Sequence, residues 1–162
     1  MTAFWNDLID QLKHGKSEDF TKMQVIVHEG GPLETDRQPQ LAWVRVTGGA
    51  DDRFSGVVLD KLARLRRVRK GSRISFLVPK NGPYALQVSS SYLEERSSWR
   101  LLMPCNQCGL SELFDPPSAL VAGIFPTMTS EDLAQGFTFT TRCGWCGGLV
   151  VRIKRTRWPW TK

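Results

Sequence analysis

The chain has 162 residues, 22 Lys and Arg against 16 Asp and Glu for a formal charge of +6, and 41% hydrophobic residues. That suffices for one ordinary domain or a small domain with an appended module, and it excludes two large domains, a low-complexity chain and a repeat array. No apolar run approaches the roughly 20 residues of a membrane-spanning helix, and the first residues lack the basic-then-apolar pattern of a secretory signal, so a soluble, cytoplasmic chain with no membrane partner is expected.

Residues 3–14 carry Phe4, Trp5, Leu8, Ile9 and Leu12 on one stripe and stop at Gly15, which predicts an amphipathic helix. Residues 22–28 alternate Met23, Val25 and Val27 against Gln24, Ile26 and His28, the period of a strand. Residues 29–40, with Gly30, Gly31, Pro32 and Pro39, read as a mobile surface loop. Strands are expected at 41–47 and 54–59, joined by a hairpin loop at 48–52. A second pair is expected at 73–78 and 84–89 around Asn81-Gly82, with Pro79 and Pro83 making that end an exposed edge. Between the pairs, Leu62, Leu65 and Val68 recur at spacing three, which suits either an irregular connection or a turn or two of helix.

All four cysteines fall in the last third, as Cys105-Asn-Gln-Cys108-Gly109 and Cys143-Gly-Trp-Cys146-Gly147, with 34 residues between the pairs. A Cys-x-x-Cys turn lets two sulfurs converge from one tight loop, and two such turns supply the four thiolates of a tetrahedral zinc site. The glycine after each second cysteine suits a turn that needs positive φ. Residues 101–103, 137–142 and 149–153 read as flanking strands. Disulfides belong to an oxidising compartment, and a redox pair would open a helix rather than sit between strands. Iron accepts the same four sulfurs as zinc. One structural zinc held by Cys105, Cys108, Cys143 and Cys146 is the expectation. In the long insertion at 110–136, the apolar patch 120–125 reads as a strand or hook tying the insertion to the core, and 129–136 as a short capped helix.

These knuckles resemble the zinc-ribbon, rubredoxin-type module. A second resemblance lies at residues 41–78, where Trp43-Val44-Arg45-Val46, the acidic turn at Asp51-Asp52, Gly56 and Lys70-Gly71-Ser72-Arg73-Ile74-Ser75-Phe76 are similar to the small β domain of the YegJ-like family of unknown function. That family commonly has Asp where this chain has Ser72. The resemblance implies a small bent antiparallel sheet and carries over no catalytic residue.

The expected class is mainly β (α+β): a small, strongly bent antiparallel sheet or partial barrel with an N-terminal helix over residues 1–100, fused to a zinc ribbon over 101–162 that ends in a basic Trp-containing tail. The excess charge is concentrated. Residues 61–73 carry seven bases and no acid, and residues 152–162 carry five and no acid. A polyanion is the partner such clusters attract, because each neutralised phosphate releases counterions. The candidate contacts are Arg64, Arg66, Arg67, Arg69 and Lys70, with Arg152, Lys154, Arg155, Arg157, Trp158 and Trp160 on the exit strand and tail, where Trp rings offer stacking surfaces between cations.

No catalytic constellation assembles. His14 and His28 sit at element ends, the acidic pairs are adjacent in sequence, and the Gly-rich stretches lack a phosphate-loop ending. The expected function is therefore a non-catalytic zinc-binding protein that binds nucleic acid through a basic face. The alternative is a protein-interaction or immunity-type module in which zinc only stiffens the surface. No small-molecule substrate is indicated.

Overall fold

The computed structural model describes residues 22–31, 35–79, 84–129, 131–132 and 138–154, the last two residues by their backbone alone. The helix expected at 3–14, His14, the Asn81-Gly82 turn and the tail beyond 154 lie outside the described residues. The chain divides into two compact units, Met1–Glu29 with Arg37–Val88, and Gly30–Asp36 with Ser89–Lys162. Among the described residues no helix is long and apolar enough to cross a membrane.

The first unit is a closed barrel of β1 (Lys22–Val27), β2 (Gln40–Ala50), β3 (Arg53–Val58), β4 (Arg73–Leu77) and β5 (Ala85–Gln87). Successive strands pair antiparallel, whereas β5 returns to β1 in parallel. The parallel pair follows from counting: a meander with an odd number of strands ends in the direction in which it began. Closure also removes the exposed edge expected at the second hairpin, since β5 is paired on both sides. Alternation fills the interior with Met23, Val25, Val27, Ala42, Val44, Val46, Phe54, Val58, Ile74 and Phe76. Phe54 and Phe76 face each other across β3 and β4 with ring centroids 5.8 Å apart.

The predicted five-residue loop at 48–52 is shorter in fact. β2 runs on to Ala50 through a bulge between Val46 and Gly48, and the turn is Asp51-Asp52 alone, with Asp51 at φ 58. An Asp in the left-handed region suits a two-residue hairpin, and a bulge adds the bend that a small barrel requires.

His28 closes the end of β1. Its ring Nε2 lies 2.7 Å from the Gln87 carbonyl oxygen, and its backbone N–H donates to Gln87 Oε1 at 3.0 Å. Burial pushes its pKa from 6.5 down to about 4, although the Gln87 hydrogen bond opposes the shift. The folded chain keeps the ring neutral where the unfolded chain protonates it. Stability from this group is complete above pH 6.5 and is lost as pH falls from about 6.5 toward about 4, by about 3 kcal/mol. Unfolding measured from pH 7 to 4 should show that slope, and His28→Gln should flatten it; equal slopes in the two proteins would refute the assignment.

The second unit contains α1 (Ser90–Arg96), β6 (Trp99–Met103), α2 (Pro117–Ile124), β7 (Thr138–Arg142) and β8 (Leu149–Lys154), with the strands in the antiparallel order β6-β8-β7. Ser89 caps α1 by accepting the Tyr92 N–H at 3.1 Å. The apolar patch read as a strand or hook is instead α2, which starts on Pro116-Pro117 and buries Leu120 and Val121. Proline at the first helical position sacrifices no hydrogen bond and presets φ. Thr129 and Asp132 bond reciprocally, N–H to side chain in both directions, at the start of the next predicted helix. The 29–40 segment is no free surface loop at its start: Gly31 is buried and donates its N–H to Asp115 Oδ1 at 2.6 Å.

Candidate functional site

The two Cys-x-x-Cys turns share two backbone hydrogen bonds at equivalent positions. Gly109 N–H donates to the Cys105 carbonyl and Gly147 N–H to the Cys143 carbonyl, both at 2.9 Å. Cys105 N–H reaches the Leu110 carbonyl and Cys143 N–H the Gly148 carbonyl, at 3.0 and 2.6 Å. Gly109 and Gly147 stand at φ 77 and 78, the left-handed region their sequence position predicts. The second knuckle joins β7 to β8. The first leaves the end of β6 and runs on into the insertion rather than returning as a hairpin.

The knuckles converge. The four Sγ atoms lie within 4.8 Å of one another, with Cys105 to Cys146 at 3.3 Å and Cys108 to Cys143 at 3.7 Å. Four sulfurs at about 2.3 Å from a central zinc ion form a tetrahedron with edges of about 3.8 Å, so the cage has the size the ion requires. Backbone N–H groups already point at sulfur, Cys108 to Cys105 at 3.5 Å and Gly148 to Cys146 at 3.4 Å. Burial opposes ionisation of Cys105, yet the amides of Cys108 and Gln107 and the neighbouring thiols bring its pKa down to about 6. Burial, then the adjoining sulfurs, push Cys108 up; burial and the Cys105 charge do the same to Cys143. Four thiols this close ionise together only around a cation.

Two residues supporting this centre escape the cysteine spacing. Asn106 bridges the knuckles, its N–H donating to the Leu149 carbonyl at 3.1 Å and its Oδ1 accepting the Leu149 N–H at 2.9 Å. Gly148 lies so near the sulfurs that a Cβ there would stand 2.5 Å from Cys105 Sγ. Gly148→Ala should therefore displace one ligand and weaken metal binding by about 10- to 100-fold, the cost typical of damaged support around a metal. Competition with a chromogenic chelator measures this, and unchanged metal affinity would rule it out. The doubled glycine at 147–148 was the only sequence signal for it.

The basic candidates separate. In the β3–β4 connection Leu62, Leu65 and Val68 are buried in the barrel core, while Arg64, Arg66, Arg67, Arg69 and Lys70 are exposed. The connection is irregular, not helical. Glu29 Oε1 holds it by accepting the backbone N–H groups of Arg66, Arg67 and Val68. Against the desolvation of that contact, the three amides and the Arg37 charge keep the Glu29 carboxyl below the usual carboxylate range. Ser72 Oγ accepts the Arg69 N–H at 2.9 Å, a turn role that needs no Asp. Glu29 thus consumes backbone donors, not guanidinium groups. Among the described residues none of the five exposed cations is in an ion pair.

Arg152 does not belong with them. It is 5% exposed and faces inward, donating through Nη2 to the Ser111 carbonyl and lying 4.0 Å from Glu112 Oε2. Period two does align Arg152 and Lys154 along the strand, but the face of β8 that Arg152 occupies is the buried one shared with Val150. The Lys154 side chain, Arg155, Arg157, Trp158 and Trp160 lie outside the described residues.

A cavity of about 360 Å³ opens beside the second knuckle, lined by Leu113, Phe114, Leu120, Ile124 and Leu149 together with Asp115 and Arg142. Its one carboxylate, Asp115, accepts the Gly31 N–H. Comparisons of the chain with protein-family models, with curated proteins and with solved structures give no match. The motifs at 41–78 therefore remain a local resemblance, with no family shown.

Proposed function

We propose that the chain is a non-catalytic zinc protein that binds nucleic acid through the basic connection of its barrel. The observation that carries this reading is the split within residues 61–70: the apolar positions are sunk in the barrel, the backbone is tied by Glu29, and five cations face solvent with no carboxylate partner among the described residues. A merely solvated face is usually laced with acids; this one presents a fixed positive ridge. Zinc at the four cysteines would cross-link two loops, and with all four positions taken by thiolates it leaves none open for water. Four free thiols suit a reducing compartment, in keeping with a cytoplasmic location.

The test is binding of a labelled oligonucleotide across a salt series. Log affinity should fall linearly with log salt, and Arg64→Ala/Arg66→Ala/Arg67→Ala should make that slope shallower by about two to three, as each lost phosphate contact removes about 0.7 to 0.9. No affinity at low salt would end this reading. A protein partner is the second reading, favoured by the second unit, where Ile124, Phe125 and Leu149 are exposed near the apolar cavity. A partner captured after nuclease treatment and at high salt would support it.

A further inference from the structure

We infer that the nucleic acid is single-stranded and that one of its bases stacks on Trp43, on the outer wall of the barrel. This rests on the reading above and adds a surface that the charge runs do not reveal.

Trp43 is 45% exposed, the fourth residue of β2, between the buried Ala42 and Val44. Its backbone is tied to the segment directly after β3, with its N–H donating to Asp60 Oδ2 at 2.7 Å and its carbonyl accepting the Leu59 N–H at 2.9 Å. The ring therefore stands on a rigid strand. Two residues along, on the same face, is Arg45, which is paired with Lys22 on β1 and with Val57 on β3; Val57 in turn is paired with Arg73 on β4. Lys22, Arg45 and Arg73 are all exposed and form one row across four strands, next to the Trp43 row. The five barrel strands contain four bases (Lys22, Arg45, Arg53, Arg73) and no acid.

Lys22 and Arg45 are directly opposite each other, an arrangement that costs stability because like charges face across the ladder. No strand residue offsets it. A local conflict of this kind is expected where a ligand supplies the missing charge. Phosphates fit the row, and the indole supplies the second half of the recognition. Aromatic rings on a β surface, flanked by cations, bind single strands by stacking on base faces while the cations follow the backbone. In a duplex those faces are hidden in the stack, so an indole on a barrel wall has nothing to stack against. The row ends at Arg73, directly after Ser72 and Gly71, and so runs in sequence into the cationic connection at 61–70.

The experiment compares a fluorescein-labelled 12-nucleotide single strand with a 12-base-pair duplex, using the full chain. Trp43→Ala should weaken single-strand binding by about 5- to 150-fold, the range measured for base–aromatic stacking, with an unchanged salt slope. Trp43→Phe should retain most of the affinity, and duplex binding should be indifferent to both. Arg45→Ala should reduce the single-strand salt slope by about 0.7. Because Trp43 points outward, the melting temperature of each variant checks that the barrel persists. Wild-type affinity in Trp43→Ala, or an equal loss for duplex, overturns the inference. If the Arg64/Arg66/Arg67 variant abolishes binding while the Trp43 variants do not, the nucleic-acid reading survives and this one falls; if the wild-type chain binds neither oligonucleotide at low salt, both fall.

Discussion

Stripping the metal from the protein, or replacing Cys143 with Ser, is expected to abolish the cooperative structure of the β6-β8-β7 sheet. Apparent binding free energies of structural zinc sites are about 10 to 16 kcal/mol, as large as the whole stability of a small domain. The sheet it supports has three short strands, and Leu102, Met103 and Leu149 on it are exposed. Three of its apolar side chains, Trp99, Phe139 and Val150, are buried, with Trp99 edge-on to Phe139 at 5.2 Å between ring centroids. The cysteines tie the end of β6 to the β7–β8 turn across 34 intervening residues, so their release also frees the loop-closure entropy of that span. Protein purified without added metal should contain one equivalent of zinc. After chelation, the amides of β7 and β8 should exchange with solvent at the rate of an unfolded segment. Iron in place of zinc would correct the metal and leave the cage; metal-free protein with protected β8 amides would refute the site.

Glu112→Gln should cost about 3 to 5 kcal/mol, the penalty for breaking a buried ion pair on one side. Glu112 is buried and accepts hydrogen bonds from two donors, the Tyr92 hydroxyl and the Arg96 guanidinium at 2.7 Å, while the Arg152 guanidinium stands 4.0 Å away as an ion-pair neighbour. Tyr92, its own pKa raised by burial and then by the Glu112 charge, remains a protonated donor, and its oxygen accepts the Leu113 N–H at 3.0 Å. One carboxylate thus ties α1, the insertion and β8 together while neutralising a buried arginine whose Nε has no acceptor among the described residues. Glutamine keeps the shape and removes the charge, leaving Arg152 buried and uncompensated. Hydrogen exchange at Val150 and Arg152 reports the loss. Adding Arg152→Met should recover part of it, because an apolar side chain of similar volume needs no counter-charge. A loss under about 1 kcal/mol would show that the network is not what holds β8.

Several features were legible because they depend on near neighbours. The cysteine spacing and the glycine after each pair report a turn whose φ only glycine takes without strain, and Gly109 and Gly147 adopt it. Strand alternation at 22–28, 41–47 and 54–59 reports the face that fills the barrel interior, although on the first strand Ile26 and His28 of the opposite face are buried as well. The patch at 120–125 misled because a short apolar run has no period of its own; Pro116-Pro117 before it was the usable helix signal.

The sequence by itself determined which four cysteines cluster, the barrel-facing side of the strands and the positions of the charge runs, all consequences of local geometry and side-chain chemistry. Only the tertiary structure decided that the sheet closes through a parallel β1–β5 pair, that Arg152 turns inward to Glu112, that Glu29 anchors the basic connection, and that Lys22, Arg45 and Arg73 share a row beside Trp43. Each of these joins residues distant in the chain. Periodicity says which side chains share a face, but which face is buried, and what stands across from it, is settled by strand register and packing.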